Sequence, residues 1–177
     1  QTCALPISTM NRKIMDTQAG PLDLHRETVL PEWVDYNGHM NVAYYVLVFD
    51  HATDEFLDHI GLDEAYRETH EGSVFVVEAH VTYENEVMEG DEVAVSTQIL
   101  DADSKRLHIF HRMYKAGNHD GEIIATNELM ILHMDMTERR SAPMPEAIRA
   151  RLLELQKRHA ALPRPTQAGR TIGIRRK

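Results

Sequence analysis

The segment NVAYYVLVFDHATDEFLDHIG, residues 41–61, most constrains what this chain can fold into. Its apolar and small residues recur at steps of three and four and predict one wide stripe of a helix: Val42, Tyr45, Val46, Phe49, Ala52, Thr53, Phe56, Leu57 and Ile60. The N-terminal half is apolar nearly all round. We therefore predict a helix buried on most sides, capped by Asn41 and ended by Gly61.

The rest of the chain predicts strands and one further long helix. A first strand is expected near residues 26–34, and alternating segments predict strands at 73–84, 92–103, 105–116 and 122–135. LDEAYRETH predicts a short helix, and PEAIRARLLELQKRHAAL a C-terminal one. Short turns between the strands indicate an antiparallel meander. The economical packing is α+β, with a curved antiparallel sheet wrapped around the long central helix.

Length and charge limit the class of protein. The 177 residues favour one domain, divided as a disordered leader at 1–24, the main domain at 25–137 and a C-terminal helix with a basic tail at 138–177. A net charge of -9 argues against nucleic-acid binding, and no apolar run is long enough to span a membrane. We expect a cytoplasmic protein.

The start of the chain needs separate treatment. QTCALPI matches what a sequencing-adapter oligonucleotide would encode, so residues 1–9 are interpreted as an artefact, with a native terminus as the alternative. Cys3 is the only cysteine, which excludes a disulfide within the chain.

Polar residues precede the central helix in the stretch EWVDYNGHMNVAYY, residues 32–45. A helix N-terminus offers unpaired backbone N–H groups and favours negative charge. Gly38 would let a ligand approach the backbone closely. An acid, a glycine and a histidine at this place are what attack on a carbonyl requires, because one group activates the nucleophile and another holds the oxyanion.

This stretch resembles the hot-dog-fold acyl-CoA thioesterases of the 4-hydroxybenzoyl-CoA type, whose motif is an Asp, two residues and a Gly at the start of the central helix. The resemblance covers about residues 25–137 and implies that the catalytic residues are Asp35, Gly38, His39 and Asn41. Asp35 would act as general base or as covalent nucleophile. The backbone N–H of His39 or Gly38 would polarise the carbonyl, and Asn41 would cap the helix or orient water.

A narrower resemblance is carried by EWVDYNGHMN, VFDHATDEFLDHIG and KRLHIFHRM. These segments are similar to thioesterases of carnitine catabolism, free-standing or fused to carnitine dehydrogenase, which implies betainyl-CoA as substrate. Aromatic faces and carboxylates bind quaternary ammonium groups. The aromatic candidates are Trp33, Tyr36, Tyr44, Tyr45, Phe75 and Tyr83, with Trp33 and Tyr36 preferred. Glu78 is a counter-ion candidate or a solvated strand residue, and Arg106 a candidate for CoA phosphate or a solvated charge.

No cofactor beyond the CoA of the substrate is expected, and no metal. His108, His111, His133 and Glu128 match no zinc signature and are interpreted as satisfied strand residues. A hot-dog hydratase is disfavoured because Asp35 and His39 are four apart rather than five. A non-catalytic acyl-CoA binding module remains open. The resemblance also implies a homodimer or a dimer of dimers, with Asp35 facing the partner chain.

Overall fold

The computed structural model describes residues 20–117 and 121–174, so residues 1–9 and their interpretation lie outside the described part. The strands are β1 (Leu22–Thr28), β2 (Gly72–Tyr83), β3 (Glu92–Ala102), β4 (Arg106–Lys115), β5 (Ala125–Asp135) and β6 (Arg140–Ser141). The helices are a 3-10 turn at Pro31–Trp33, α1 (Val42–Ile60), α2 (Glu64–His70) and α3 (Glu146–His159). The expected central, short and C-terminal helices are confirmed.

The strands form one antiparallel sheet in the order β1-β3-β4-β5-β2, with β6 paired to β5. The meander is therefore correct only for β3, β4 and β5. β2 pairs with β5 rather than with β3, because residues 84–91 carry the chain from one edge of the sheet to the other. This segment, here called the crossing segment, passes the start of α1 and buries Val87 completely in the core.

The first strand lies earlier than the sequence predicted. β1 spans Leu22–Thr28, and Pro31–Trp33 forms a 3-10 turn because proline favours the first turn of a helix. The predicted domain start at residue 25 thus falls inside β1.

The curved sheet encloses α1, and the core divides along the helix. One cluster packs the C-terminal half of α1, including Phe56 and Ile60, against α3. The other packs the N-terminal half, including Val48 and Phe49, against β3, β4 and the crossing segment. Asn41 and Gly61 end α1 as predicted, with Gly61 in the left-handed conformation at φ 91°.

α3 lies beside α1 on the inner side of the sheet and contributes Leu152 and Leu155 to the core. The chain then passes over the outer face. The side-chain amide of Gln98 donates to the carbonyl of Pro163 at 3.3 Å, and the backbone N–H of Gly169 donates to Glu128 at 2.7 Å. The C-terminal region therefore belongs to the same packed unit as the sheet.

Candidate active site

Residues 35–41, here called the helix mouth, form a closed loop at the start of α1. The backbone N–H of Asp35 donates to the carbonyl of His39 at 3.1 Å, and that of Gly38 donates to the carbonyl of Asp35 at 3.0 Å. Gly38 adopts φ +86°, a conformation that glycine tolerates and other residues rarely do. The sequence therefore builds a closed turn that carries the partly buried Asp35, whose carboxylate accepts from the backbone N–H of Asn37.

Among the described residues, hydrogen bonding leaves two backbone donors open at the helix mouth, the N–H groups of Tyr36 and His39. The N–H groups of residues 37, 38, 40 and 41 donate to Asp35 Oδ1 and to the carbonyls of Asp35, Val87 and Trp33. The N–H of His39 has no acceptor within residues 20–117 and 121–174. Of the two amides considered from the sequence, that of Gly38 is occupied by the turn. The N–H of His39 is thus the donor available for a developing oxyanion.

Asn41 caps α1, since its Oδ1 accepts from the backbone N–H of Ala43 at 3.0 Å. Asn and Asp are preferred at this position because their side-chain oxygen satisfies an otherwise unpaired helix N–H. Capping, the first of the two roles considered for Asn41, is what the geometry provides.

The crossing segment forms the opposite wall of a cleft at the helix mouth. The backbone N–H of Met40 donates to the carbonyl of Val87 at 2.9 Å, which fixes this segment against the loop. His39 Nε2 lies 3.3 Å from Glu86 Oε2, so the imidazole pairs with a carboxylate across the cleft. The cleft has a volume of about 380 Å³ and is lined by His39, Met40, Val42, Tyr45, Tyr83, Glu84, Asn85 and Glu86.

Two tyrosines line this cleft. Tyr45 and Tyr83 meet edge to face, with ring centroids 5.3 Å apart at an interplanar angle of 84°. The hydroxyl of Tyr45 donates to the carbonyl of Asn85 at 3.4 Å. Burial raises the pKa of Tyr45, and the negative charge of Glu86 adds to the effect, so the phenol is neutral near pH 7. The cleft therefore combines aromatic surface with carboxylates.

The preferred aromatic candidates do not line the cleft. Trp33 is only 5% exposed and stacks on Tyr44 at a centroid distance of 5.4 Å. Tyr36 is 97% exposed, because the loop turns its side chain into solvent. The sequence pattern alone could not tell that Tyr45 lines the cleft whereas Trp33, Tyr36 and Tyr44 do not. Their positions depend on the direction in which the chain enters α1.

Glu78 lies on the outer face of the sheet, beside His80, His108 and Glu128. A β-bulge between Val76 and Glu78 explains this, because the extra residue reverses the alternation of side chains. A count of alternating side chains that continues through residue 77 therefore assigns the residues before the bulge to the wrong face of the sheet. Strict alternation would place Val76 on the same face as Glu78, but Val76 lines a second cavity with α1 residues.

Arg106 pairs with Asp103 at 2.6 Å in the turn between β3 and β4, and it does not line the cleft. The three strand histidines have separate partners, as expected. His108 contacts Glu128 at 2.7 Å, His111 contacts Thr97 at 2.9 Å, and His133 contacts Tyr66 at 2.8 Å.

Comparison with known proteins identifies the class of protein to which this chain belongs. Residues 29–152 match the thioesterase-like superfamily. A betainyl-CoA thioesterase from Pseudomonas aeruginosa is 46% identical over 86% of this chain and 95% of its own. The structure of a thioesterase from Pseudomonas putida has a TM-score of 0.76 and 40% identity, covering 89% of this chain and 99% of its own. The structure of a Staphylococcus aureus protein in complex with CoA has a TM-score of 0.79 and 34% identity, covering 85% of this chain and 94% of its own.

A sheet curled around one helix, with an acid and an open backbone donor at the helix mouth, defines a hot-dog thioester hydrolase. The chain belongs to the thioesterase-like superfamily. Both the fold and the enzyme class implied by the sequence are therefore confirmed. Among the described residues, no helix is both long and apolar enough to cross a bilayer.

Proposed function

We propose that this enzyme hydrolyses betainyl-CoA to betaine and CoA, a step of carnitine degradation. The observation that carries this is the pairing of Tyr45 and Tyr83 with Glu86 directly beside the helix mouth. The similarity to the P. aeruginosa betainyl-CoA thioesterase supports it. CoA is part of the substrate, and we propose no other cofactor.

Asp35 is the catalytic carboxylate of this proposal. Its Oδ1 is held by the N–H of Asn37 at 2.8 Å, while no described residue donates to Oδ2. Oδ2 is thus free to take a proton from water or to attack the carbonyl carbon itself. Water attack gives the acid and the free thiol of CoA after one proton transfer to sulfur. Direct attack breaks the C–S bond, expels CoA as the thiolate and leaves a mixed anhydride on Asp35. Water then opens the anhydride, regenerates the Asp35 carboxylate and supplies the proton that the thiolate takes up.

The N–H of His39 stabilises the oxyanion in either route. Its position at the start of α1 places the positive end of the helix dipole behind it. The imidazole of His39 has a second function, since its contact with Glu86 keeps that carboxylate at the cleft.

Tyr45, Tyr83 and Glu86 form the ammonium subsite of the proposal. In a betainyl group only one methylene separates the carbonyl carbon from nitrogen, so the cation must lie within a few ångströms of the oxyanion donor. The ring of Tyr83 attracts the cation and Glu86 supplies a negative charge, while Tyr45, only 4% exposed, packs against the Tyr83 ring and holds it in place. Tyr83 is 47% exposed, so a substrate can reach its ring.

We further propose a homodimer through β2, either alone or as half of a dimer of dimers. β2 is a 12-residue edge strand, and such an edge invites pairing with another chain. Phe75, Val76 and Val77 on this strand are 42%, 47% and 56% exposed. Val42 and Val46 on α1 add a neighbouring apolar surface, 59% and 45% exposed. A second copy would cover both apolar surfaces and place its own residues near Asp35.

A cytoplasmic location stays a prediction.

Two substrates that differ only in charge test the proposal. Betainyl-CoA and tert-butylacetyl-CoA have the same shape, because a quaternary carbon replaces the quaternary nitrogen. We expect kcat/KM for betainyl-CoA to be about tenfold higher or more, since about 1.4 kcal/mol of cation binding gives that factor. Acetyl-CoA and a medium-chain acyl-CoA complete the panel, with release of the thiol as the readout.

Two variants test which residues cause the preference for the charged substrate. Tyr83→Leu and Glu86→Gln should each reduce the preference for the charged substrate while hydrolysis of the neutral one persists. Equal rates on both substrates in the wild type would reject betainyl-CoA and keep the thioesterase. No hydrolysis of any thioester would favour a binding module, and hydration of an enoyl-CoA would favour the hydratase.

A further inference from the structure

Three potential metal ligands meet on the side of α1 that faces β1. His25 and Glu27 alternate along β1 and so point to the same side of the strand, toward α1. His51 reaches them from the third turn of α1. His25 Nε2 and His51 Nδ1 lie 3.1 and 2.9 Å from the same oxygen, Glu27 Oε2. The three ligand atoms all lie within 4.8 Å of one another.

We propose that His25, Glu27 and His51 bind a divalent transition-metal ion, Zn²⁺ by preference, which holds β1 against α1. Two imidazoles and one carboxylate are the donors that such ions prefer. Ligands about 2.1 Å from a tetrahedral zinc ion lie about 3.4 Å from each other. The two contacts, at 3.1 and 2.9 Å, are a few tenths of an ångström shorter, so small outward side-chain shifts would admit the ion.

The surroundings suit a structural ion that keeps water in its remaining positions. The side chains of His25, Glu27 and His51 are 12%, 23% and 39% exposed, so the cluster opens to solvent at His51. The cluster lies on the opposite side of α1 from the cleft, which is lined by Val42 and Tyr45. The ion is therefore not part of thioester hydrolysis.

A hydrogen-bonded triad is the competing explanation. Each imidazole could donate a proton to Glu27, as His108 does toward Glu128 at 2.7 Å on the outer face. The two cases differ in one respect. His108 meets its carboxylate alone, and the other oxygen of Glu128 accepts from the N–H of Gly169. At Glu27 two imidazoles on different elements converge on one oxygen, which a shared ion explains directly.

Calorimetric titration of the full chain, without a histidine tag, with Zn²⁺ and Mg²⁺ tests the proposal. We expect one Zn²⁺ per chain with micromolar or tighter affinity and no binding of Mg²⁺, which prefers oxygen ligands. His51→Ala, His25→Ala and Glu27→Gln should each weaken Zn²⁺ binding at least tenfold. His108→Ala removes an imidazole elsewhere, and Cys3→Ser removes the thiol, so both should bind as the wild type does.

Melting curves separate the ion from the triad. A ligand that binds only the folded state raises the melting temperature. Zn²⁺ should therefore raise that of the wild type and of His108→Ala, but not that of His51→Ala, whose exposed position makes a folded variant attainable. Equal Zn²⁺ affinity in wild type and His51→Ala, or no binding below millimolar, would overturn the metal site and leave a hydrogen-bonded triad only.

Discussion

The two flanks of α1 face opposite edges of one sheet, and the chain itself closes only one of them. On the flank toward β1, Trp33 and Tyr44 stack, and His51 joins the two polar residues of the strand. On the flank toward β2, Val42 and Val46 remain 59% and 45% exposed. The N-terminal half of α1 is apolar on both flanks, so only another molecule could bury the flank toward β2.

The edge strands differ in the same way. β1 has seven residues and carries a bulge and charged side chains, features that discourage pairing with other chains. β2 has 12 residues and three exposed apolar ones in succession. The flank toward β2 also carries the cleft. In the function proposed above, catalysis and assembly therefore share the flank toward β2, while the flank toward β1 packs within the chain.

A charge on β2 gives the largest expected difference between the two edges. Val77→Lys places an ammonium in the proposed dimer interface, where burying an unpaired charge is unfavourable. We expect a monomer by light scattering and a loss of hydrolysis of at least tenfold. Thr28→Lys on β1 is the matched control and should leave both mass and rate unchanged. A dimeric Val77→Lys would show that assembly does not use β2.

The polar layer beneath α1 predicts a smaller effect, on stability in acid. His111 is fully buried between Thr53 and Thr97, at 3.1 and 2.9 Å. Burial, with a smaller contribution from His25, lowers the pKa of His111 from 6.5 to about 3. The proton therefore binds the unfolded chain more tightly. This contribution to stability is complete above pH 6.5 and is lost as pH falls toward 3, at about 1.4 kcal/mol per pH unit.

Urea unfolding at pH 7.5 and pH 5 measures this dependence. His111→Gln should lower stability at pH 7.5 and lose less than the wild type on acidification. His80→Gln, on the outer face, should keep the full loss. Burial also lowers the pKa of His159 to about 4, so part of the acid sensitivity should persist in His111→Gln. The same pH dependence in His111→Gln and wild type would contradict this assignment.

Local patterns predicted the elements well and their arrangement less well. The apolar stripe located α1 between Asn41 and Gly61, because periodicity and capping are local properties. The pairing of β2 with β5 depends on the crossing segment, whose path no turn motif records. The bulge at residue 77 likewise gives no signal in an alternating apolar run, so a count of alternating residues back from Glu78 assigns Val76 to the wrong face.

The site was predicted in its catalytic half only. The motif from Asp35 to Asn41 lies within one loop, so sequence order preserves its geometry. The proposed ammonium subsite joins Tyr45 to Tyr83 and Glu86, which are about 40 residues away. The two tyrosines were among six aromatic candidates that the sequence could not rank correctly, and Glu86 was not a candidate. The cluster of His25, Glu27 and His51 was missed for the same reason, since the strand and the helix that supply it meet only in the fold.

The rate of betainyl-CoA hydrolysis by Asp35→Asn tests the central claim, that the helix mouth carries out the reaction. Asn keeps the side-chain oxygen that accepts from the N–H of Asn37, so the loop should be preserved. Asp135→Asn is the matched control, because Asp135 Oδ1 accepts from the N–H of Thr137 in the same way, at 2.9 Å. We predict that kcat/KM falls about 1000-fold in Asp35→Asn, with melting temperature unchanged, and does not fall in Asp135→Asn. Asp35→Asn activity within tenfold of the wild type would contradict the account.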